Sequence, residues 1–94
     1  MTDSKIYNQS RGNVIAAIHY TRKMQIGKET LSDIKNGQIN FIVKMCNEEW
    51  EYQFTVIDLG EDRCEVKIGI NGDVQDEDKK ISSEFWMLDS MMGS

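Results

Sequence analysis

The sequence contains no proline, one histidine, two cysteines and no long run of apolar residues. A bilayer-spanning helix needs about 20 apolar residues in succession. We therefore expect no membrane partner, and no signal peptide is visible. Two cysteines do not suggest a disulfide framework, and free thiols are typical of the reducing cytoplasm, where we expect the protein. No low-complexity linker interrupts the 94 residues, which predict a single domain over residues 1–94.

Metal and nucleophilic chemistry have few candidate residues in this chain. His19 is the sole imidazole, and its spacing from Cys46 and Cys64 matches no zinc motif. No sequence context places a serine or thiol beside His19, as nucleophilic catalysis would require. The acidic run that begins at Asp76 lacks the sixth-position glycine and twelfth-position glutamate of an EF-hand loop. We expect no catalytic residue, no metal and no cofactor, and hence a protein that is not an enzyme.

The formal net charge is −5, and it is unevenly spread. Residues 1–44 carry seven basic and three acidic side chains, a balance of +4, whereas residues 45–94 carry four basic and thirteen acidic ones, a balance of −9. We expect the two halves to pack together so that their fields partly cancel. The alternative is a basic surface that meets an acidic patch on a second copy or on a partner.

Apolar side chains alternate with other residues along three segments between positions 39 and 70. Side chains alternate sides along a strand, so this pattern predicts three strands with one buried and one wet face. The pattern turns the sheet aromatics and Cys64 inward, which leaves the wet face without stacking groups. Together with the net charge of −5, this argues against nucleic acid as a partner. The inward residues are Ile39, Phe41, Val43, Met45, Trp50, Tyr52, Phe54, Val56, Cys64, Val66, Ile68 and Ile70.

A fourth strand is predicted before these three, within residues 27–34. Asn36-Gly37 is a strong hairpin signal, and a two-residue turn there would pair Ile34 with Ile39 on the inner face. The other inward positions of this strand are polar, which favours a sheet edge. A short helix capped by Thr30 is the alternative for this segment.

Strand parity also predicts the lengths of the next two hairpin loops. Met45 opposite Trp50 would leave a four-residue loop at residues 46–49. Leu59 opposite Arg63 would leave a three-residue loop at residues 60–62. Both lengths are common in hairpins, and the result is a four-stranded antiparallel meander.

Two helices are predicted to flank the meander. Ser10 is suited to cap a helix over residues 11–24, which carries an apolar stripe. A second helix follows the acidic residues 76–78, where negative charge complements the N-terminal dipole, and Gly93 is a natural stop. Ile6-Tyr7 would form either a short first strand or a hydrophobic contact that staples the first helix. The stripe of the second helix consists of Ile81, Phe85, Leu88 and Met92, and Trp86 and Met87 lie outside it.

The predicted order is α-β-β-β-β-α, with a short strand before it as an open alternative. Both helices must cover the one apolar face, which gives a two-layer α+β sandwich. With the first strand present, the order resembles a reduced form of the helix-grip arrangement of Bet v 1-like and lipid-transfer domains. The resemblance lies in element order alone and implies a site for a small apolar ligand between sheet and helices.

Two functional hypotheses follow from these patterns. The first is a small interaction or regulatory domain that binds an unknown protein or a second copy of itself, with Trp86, Met87, Ile42 and Ile57 as candidate interface residues. The second is a binder of a small apolar ligand, with Met45, Phe54, Phe85 and Met91 as candidate pocket residues, since methionines adapt readily to a ligand.

Overall fold

A computed structural model describes residues 2–93 and confirms the α+β class. The predicted helices and strands are present, and the N-terminal residues add a fifth strand. All pairings in the sheet are antiparallel, in the spatial order β1-β5-β4-β3-β2. The elements are β1 (Thr2–Tyr7), α1 (Arg11–Met24), β2 (Lys28–Asp33), a 3-10 turn (Ile34–Asn36), β3 (Gln38–Met45), β4 (Glu48–Gly60), β5 (Arg63–Asn71) and α2 (Glu77–Met92).

Strand β1 resolves the alternative left open for Ile6-Tyr7. It pairs with β5, from Thr2 opposite Gly69 to Tyr7 opposite Cys64. Tyr7 is fully buried, and its hydroxyl donates a hydrogen bond of 2.7 Å to Asp89 of α2. Lys5 forms an ion pair of 2.7 Å with the same carboxylate. The first strand is therefore tied to the last helix, and the basic first half of the chain meets the acidic second half there.

The core lies between the inner sheet face and the two helices. Ten of the twelve residues predicted to face inward are buried, Ile70 is half-buried, and Met45 is 52% exposed. From the helices, Val14 and Ile18 of α1 and Ile81 and Leu88 of α2 are buried in the same cluster. The apolar stripes of the two helices therefore pack against the apolar face of the sheet, as the periodicities of helix and strand predict.

The predicted two-residue turn at Asn36-Gly37 is wrong. Strand β2 ends one residue before Ile34, and Asp33 and Ser32 pair with Gln38 and Ile39. The 3-10 turn lies between the strands, and the Asp33 carboxylate accepts a 3.3 Å hydrogen bond from the Asn36 backbone N–H. Gly37 then adopts φ 71°, and a Cβ there would lie 2.3 Å from the carbonyl oxygen of Val56. The glycine therefore closes a longer loop, while the polar β2 lies at the sheet edge as expected.

The other two hairpins are tighter than their predicted loops. Met45 pairs with Glu48, so Trp50 lies opposite Val43 and the loop is Cys46-Asn47. Gly60 pairs with Arg63 after an irregularity at Leu59, which leaves the loop Glu61-Asp62. All four loop residues have positive φ, between 52° and 64°. This conformation matches the twist of a two-residue hairpin, although neither loop contains the glycine that usually marks it.

Helix α1 ends in a Schellman turn with an unusual residue. The Gly27 N–H donates to the Arg22 carbonyl at 2.8 Å and the Ile26 N–H to the Lys23 carbonyl at 3.1 Å. Glycine normally occupies the left-handed position of this motif. Here Ile26 holds φ 54° and is 92% exposed. A β-branched residue is strained in that conformation, and so much exposure leaves little packing to offset the strain.

We predict that Ile26→Gly raises the free energy of unfolding by about 1 kcal/mol, because glycine reaches positive φ without steric cost. Urea unfolding of the wild type and the variant measures this difference. Ile34→Gly is the control, since Ile34 is also exposed but is absent from the positive-φ residues. An Ile26→Gly chain that is destabilised as much as the control would contradict the prediction.

Candidate functional site

A pocket of about 330 Å³ opens at the end of the molecule where β3 and β4 meet. Its volume lies at the lower end of the range for small-molecule sites. The hairpin contributes Met45, Cys46 and Glu48, while β4 contributes Trp50 and Tyr52. The remaining walls are Gln25 after α1 and the first turns of α2, namely Asp76, Lys79, Lys80 and Ser83.

Glu84 of α2 is fully buried and contacts a residue of the pocket wall. One carboxylate oxygen, Oε1, accepts a 2.8 Å hydrogen bond from the side-chain amide of Gln25, which lines the pocket. The other oxygen, Oε2, is buried without a hydrogen-bond partner in the described structure. Burial raises the pKa of Glu84 from its ordinary 4.5 to about 7, and the Gln25 hydrogen bond offsets this rise in part.

Two aromatic side chains carry polar groups beside Glu84. The hydroxyl of Tyr52 donates to the Lys80 carbonyl at 3.2 Å. Burial and then the charge of Glu84 raise the pKa of this phenol. The Trp50 indole N–H lies close enough to lower that pKa, but it makes no hydrogen bond of normal geometry and is buried. Trp50, Tyr52 and Glu84, which are buried, and Gln25, which is half-buried, therefore form one polar cluster, which we call the inner cluster.

Lys80 lies at the mouth of the pocket. Its ammonium nitrogen lies 4.7 Å from the centroid of the Trp50 ring and 3.4 Å from a carboxylate oxygen of Glu48. The same nitrogen donates a short hydrogen bond to the backbone carbonyl of Gln75. An aromatic face, a carboxylate and a carbonyl thus surround one ammonium group.

The predicted pocket residues fall in different places. Met45 lines the pocket. Phe54 is fully buried in the core, where it stacks on Phe41 at a centroid distance of 5.4 Å. Phe85 is partly buried against the core, and Met91 lines a separate depression between the helices. The structure therefore does not gather these four side chains into one cavity.

The candidate interface residues are also dispersed. Trp86 is 69% exposed and Met87 is half-buried, both on the helix layer. Ile42 and Ile57 are half-buried on the outer sheet face, on the opposite side of the molecule. Glu51 pairs with Ile42, and Ile57 lies six residues further along β4, or about 20 Å away. The four residues therefore do not form a single continuous surface.

Glu84 and its partners were missed by the sequence analysis, although the sequence carried one signal. Glu84 follows Ile81 by three positions and precedes Leu88 by four, so it falls within the apolar stripe of α2. A carboxylate at such a position is unusual because buried charge is costly. No comparable signal exists for Gln25, which reaches Glu84 across 59 positions of sequence.

Residues 2–93 offer little support for metal binding or thiol chemistry. No group of three metal-ligating side chains occurs in this part of the chain. Neither helix described there has the length and apolar character needed to cross a membrane. Cys46 is exposed in its hairpin and Cys64 is buried, and both are free thiols. Burial raises the pKa of Cys64, which lowers its nucleophilic reactivity at neutral pH.

The raised pKa of Glu84 makes its effect on stability depend on pH in a definite direction. Between about pH 4.5 and pH 7 the carboxyl ionises in the unfolded chain before it ionises in the folded one. The free energy of unfolding is therefore highest below this window and falls as the pH rises through it. Above pH 7 the total decrease caused by Glu84 is at most about 3 kcal/mol. Tyr52 stays neutral across the window because its pKa is raised, and Gln25 does not titrate.

We predict that Glu84→Gln stabilises the protein at pH 8 and changes its stability much less at pH 4.5. The amide keeps the shape of the side chain and cannot ionise. Urea unfolding of both proteins at the two pH values provides the measurement. Subtracting the wild-type free energy of unfolding from that of the variant at each pH removes the contribution of the other titrating groups. An equal difference at pH 4.5 and pH 8 would show that the buried charge is not responsible.

Comparisons with known proteins show which fold the chain resembles but assign it to no family. No family model matches the chain, and no curated protein matches it. Solved structures do match, among them the crystal structure of the di-domain ARO/CYC StfQ from the steffimycin biosynthetic pathway. The TM-score is 0.66 at 8% sequence identity, over 98% of this chain and 42% of that one. The chain thus spans less than half the length of this neighbour, and the similarity confirms the helix-grip type of fold alone.

Proposed function

We propose that the chain is a non-enzymatic domain that binds a small, partly apolar molecule in the pocket between the β3–β4 hairpin, Gln25 and the start of α2. The observation that carries the proposal is the inner cluster. Trp50 Nε1 and Glu84 Oε2 are both buried without a hydrogen-bond partner in the described structure. Trp50 lines the pocket, and Glu84 is hydrogen-bonded to Gln25, which also lines it.

The two unpartnered atoms destabilise the unliganded protein. A buried polar group without a partner costs about 1–3 kcal/mol, so native structures contain few of them. A ligand that offers an acceptor to Trp50 or a donor to Glu84 would remove part of that cost. The apolar side chains of Met45, Trp50 and Tyr52 would contact the rest of the molecule.

The fold is compatible with this role. The ARO/CYC neighbour comes from a biosynthetic pathway, and the resemblance to lipid-transfer domains implies a small-ligand site as well. In this chain the space between the middle of the sheet and the helices is filled by Phe41, Phe54 and Ile18, all fully buried. The ligand is therefore placed at the end of the sheet rather than beneath the centre of the helices.

We predict that Ser83→Phe weakens ligand binding by about tenfold, because a phenyl ring would occupy space in the pocket. N-phenyl-1-naphthylamine, a neutral fluorescent probe of apolar sites, is titrated into a Trp86→Phe background. Trp50 is then the sole tryptophan, so energy transfer from it to the probe reports proximity to the pocket.

Ser82→Phe is the matched control, because Ser82 is an exposed neighbour on α2 that does not line the pocket. Native mass spectrometry of the freshly purified protein also shows whether a small molecule co-purifies. Equal probe affinities for the Ser82 and Ser83 variants, together with an unliganded mass, would contradict the proposed function.

Exposed apolar side chains on the helix layer favour self-association as a second candidate function. Trp86 is 69% exposed on α2, and Tyr20 and Met24 of α1 are also more than half exposed. Exposed tryptophan is enriched at protein interfaces. A second copy of the chain that packs on this layer would cover these side chains.

We predict that at high concentration the wild type has a mass in solution of about twice its monomer mass of 10.9 kDa. The Trp86→Ala variant should have the monomer mass at the same concentration. Size-exclusion chromatography with light scattering provides the masses. Leu59→Ala is the control, since Leu59 is an exposed apolar residue in the β4–β5 hairpin region. A wild-type mass of 10.9 kDa at every concentration would contradict self-association.

A further inference from the structure

The inner cluster and the pocket mouth indicate the charge of the ligand. We infer that the pocket selects an organic ammonium ion, a protonated amine on an apolar or aromatic body, whose N–H groups donate to Glu84. The inference rests on the proposed function and names the class of molecule that the same pocket would take.

The first support is the surroundings of the Lys80 ammonium group. Three groups contact this nitrogen, namely the Trp50 ring, the Glu48 carboxylate and the Gln75 carbonyl. All three are groups that attract a cation. The mouth of the pocket therefore already holds one ammonium ion, supplied by the chain itself.

The second support is the unpartnered oxygen of Glu84. No lysine or arginine ion pair with Glu84 is present in the described residues, and its one hydrogen bond comes from the neutral amide of Gln25. A charged donor forms a stronger hydrogen bond to a carboxylate than an amide does. An ammonium group that moves past the Gln25 side chain would meet Glu84 Oε2, which is buried and free of competing donors.

The balance of charge around the pocket favours a cation over an anion. Glu48, Asp76 and Glu84 are the carboxylates at or behind its walls, and Lys79 and Lys80 are the cations. Lys80 is already neutralised by Glu48 at 3.4 Å. An anionic ligand would face the buried carboxylate of Glu84 in a medium of low polarity, where like charges repel strongly.

The experiment compares three ligands that share one apolar body. Isothermal titration calorimetry at pH 7 measures the affinities of 1-naphthylmethylamine, 1-naphthalenemethanol and 1-naphthoate for the full chain. We expect the amine to bind about tenfold more tightly than the alcohol, which is the size of effect that a charge-assisted hydrogen bond gives. Glu84→Gln should remove most of this preference, because the neutral amide has no negative charge to attract the ammonium.

Glu49→Gln is the matched control, since it makes the same change in net charge at an exposed residue that does not line the pocket. It should keep the preference for the amine. Repeating the titration in phosphate and in Tris buffers, which differ in ionisation enthalpy, gives the number of protons released on binding. The wild type should release about half a proton on binding the amine, since Glu84 is half ionised near pH 7. The Glu84→Gln chain should release none from this site.

A second variant tests the mouth of the pocket. Lys80→Met keeps the apolar stem and removes the ammonium from the Trp50 face. The amine should therefore bind this variant at least about threefold more tightly than it binds the wild type. Weaker binding of the amine to this variant would count against a cation site at the mouth.

The outcomes separate the two proposals. If the alcohol binds as tightly as the amine, if 1-naphthoate binds best, or if the preference survives Glu84→Gln, the inference about charge is wrong and the binding function stands. If none of the three ligands binds and N-phenyl-1-naphthylamine does not bind either, the proposed function fails and the inference fails with it.

Discussion

The central constraint on this molecule is a difference in length between the sheet and the helices that cover it. Strand β4 has 13 residues and extends about 40 Å, whereas helices of 14 and 16 residues extend about 21 and 24 Å. The longest dimension of the molecule is 41 Å, close to the length of that strand. The helices therefore cover the middle of the inner face, where Phe54 and Val66 are buried, and leave both ends of β4 less protected. The pocket lies at one of these ends, where Trp50 and Tyr52 form the last buried part of the apolar face.

Glu84 makes this end of the molecule chemically different from the rest of the core. The stripe of α2 would pack without cost if an apolar residue stood there, as Ile81 and Leu88 do on either side. Instead, a carboxyl group is buried with one neutral hydrogen-bond donor and a raised pKa. Proteins commonly retain such costly groups where binding requires them. The hydrogen bond from Gln25, which lines the pocket, connects this costly group to the pocket wall.

The pattern of side chains predicted the elements better than their junctions. Alternation identified the inner face because burial selects one side of every strand. Parity could not fix the loops, since the tight turns at Cys46-Asn47 and Glu61-Asp62 lack the usual glycine. The pairing of β1 with β5 joins residues more than 50 positions apart, and no local pattern encodes such a contact. The site depended on those junctions. Met45 lies in the last pair before the tight β3–β4 turn and lines the pocket, whereas Phe54 lies in the filled centre of the core.

The two tryptophans show how the same constraint separates two kinds of exposed apolar surface. Trp50 is on β4 opposite the first turn of α2, so Lys80 of that helix covers its ring, and its N–H is buried without a partner in the described structure. Trp86 is on the solvent side of a helix whose inner side is already occupied by Ile81, Glu84 and Leu88. The first tryptophan lies in a concave site with polar groups, which suits a small molecule. The second is convex and lacks the enclosure that a small molecule needs, so only another macromolecular surface could bury it. Lys79 and Ser83 of the pocket precede Trp86 by seven and three positions, so the pocket and the exposed tryptophan lie along the same side of α2. A second copy packed on Trp86 would therefore lie next to the pocket.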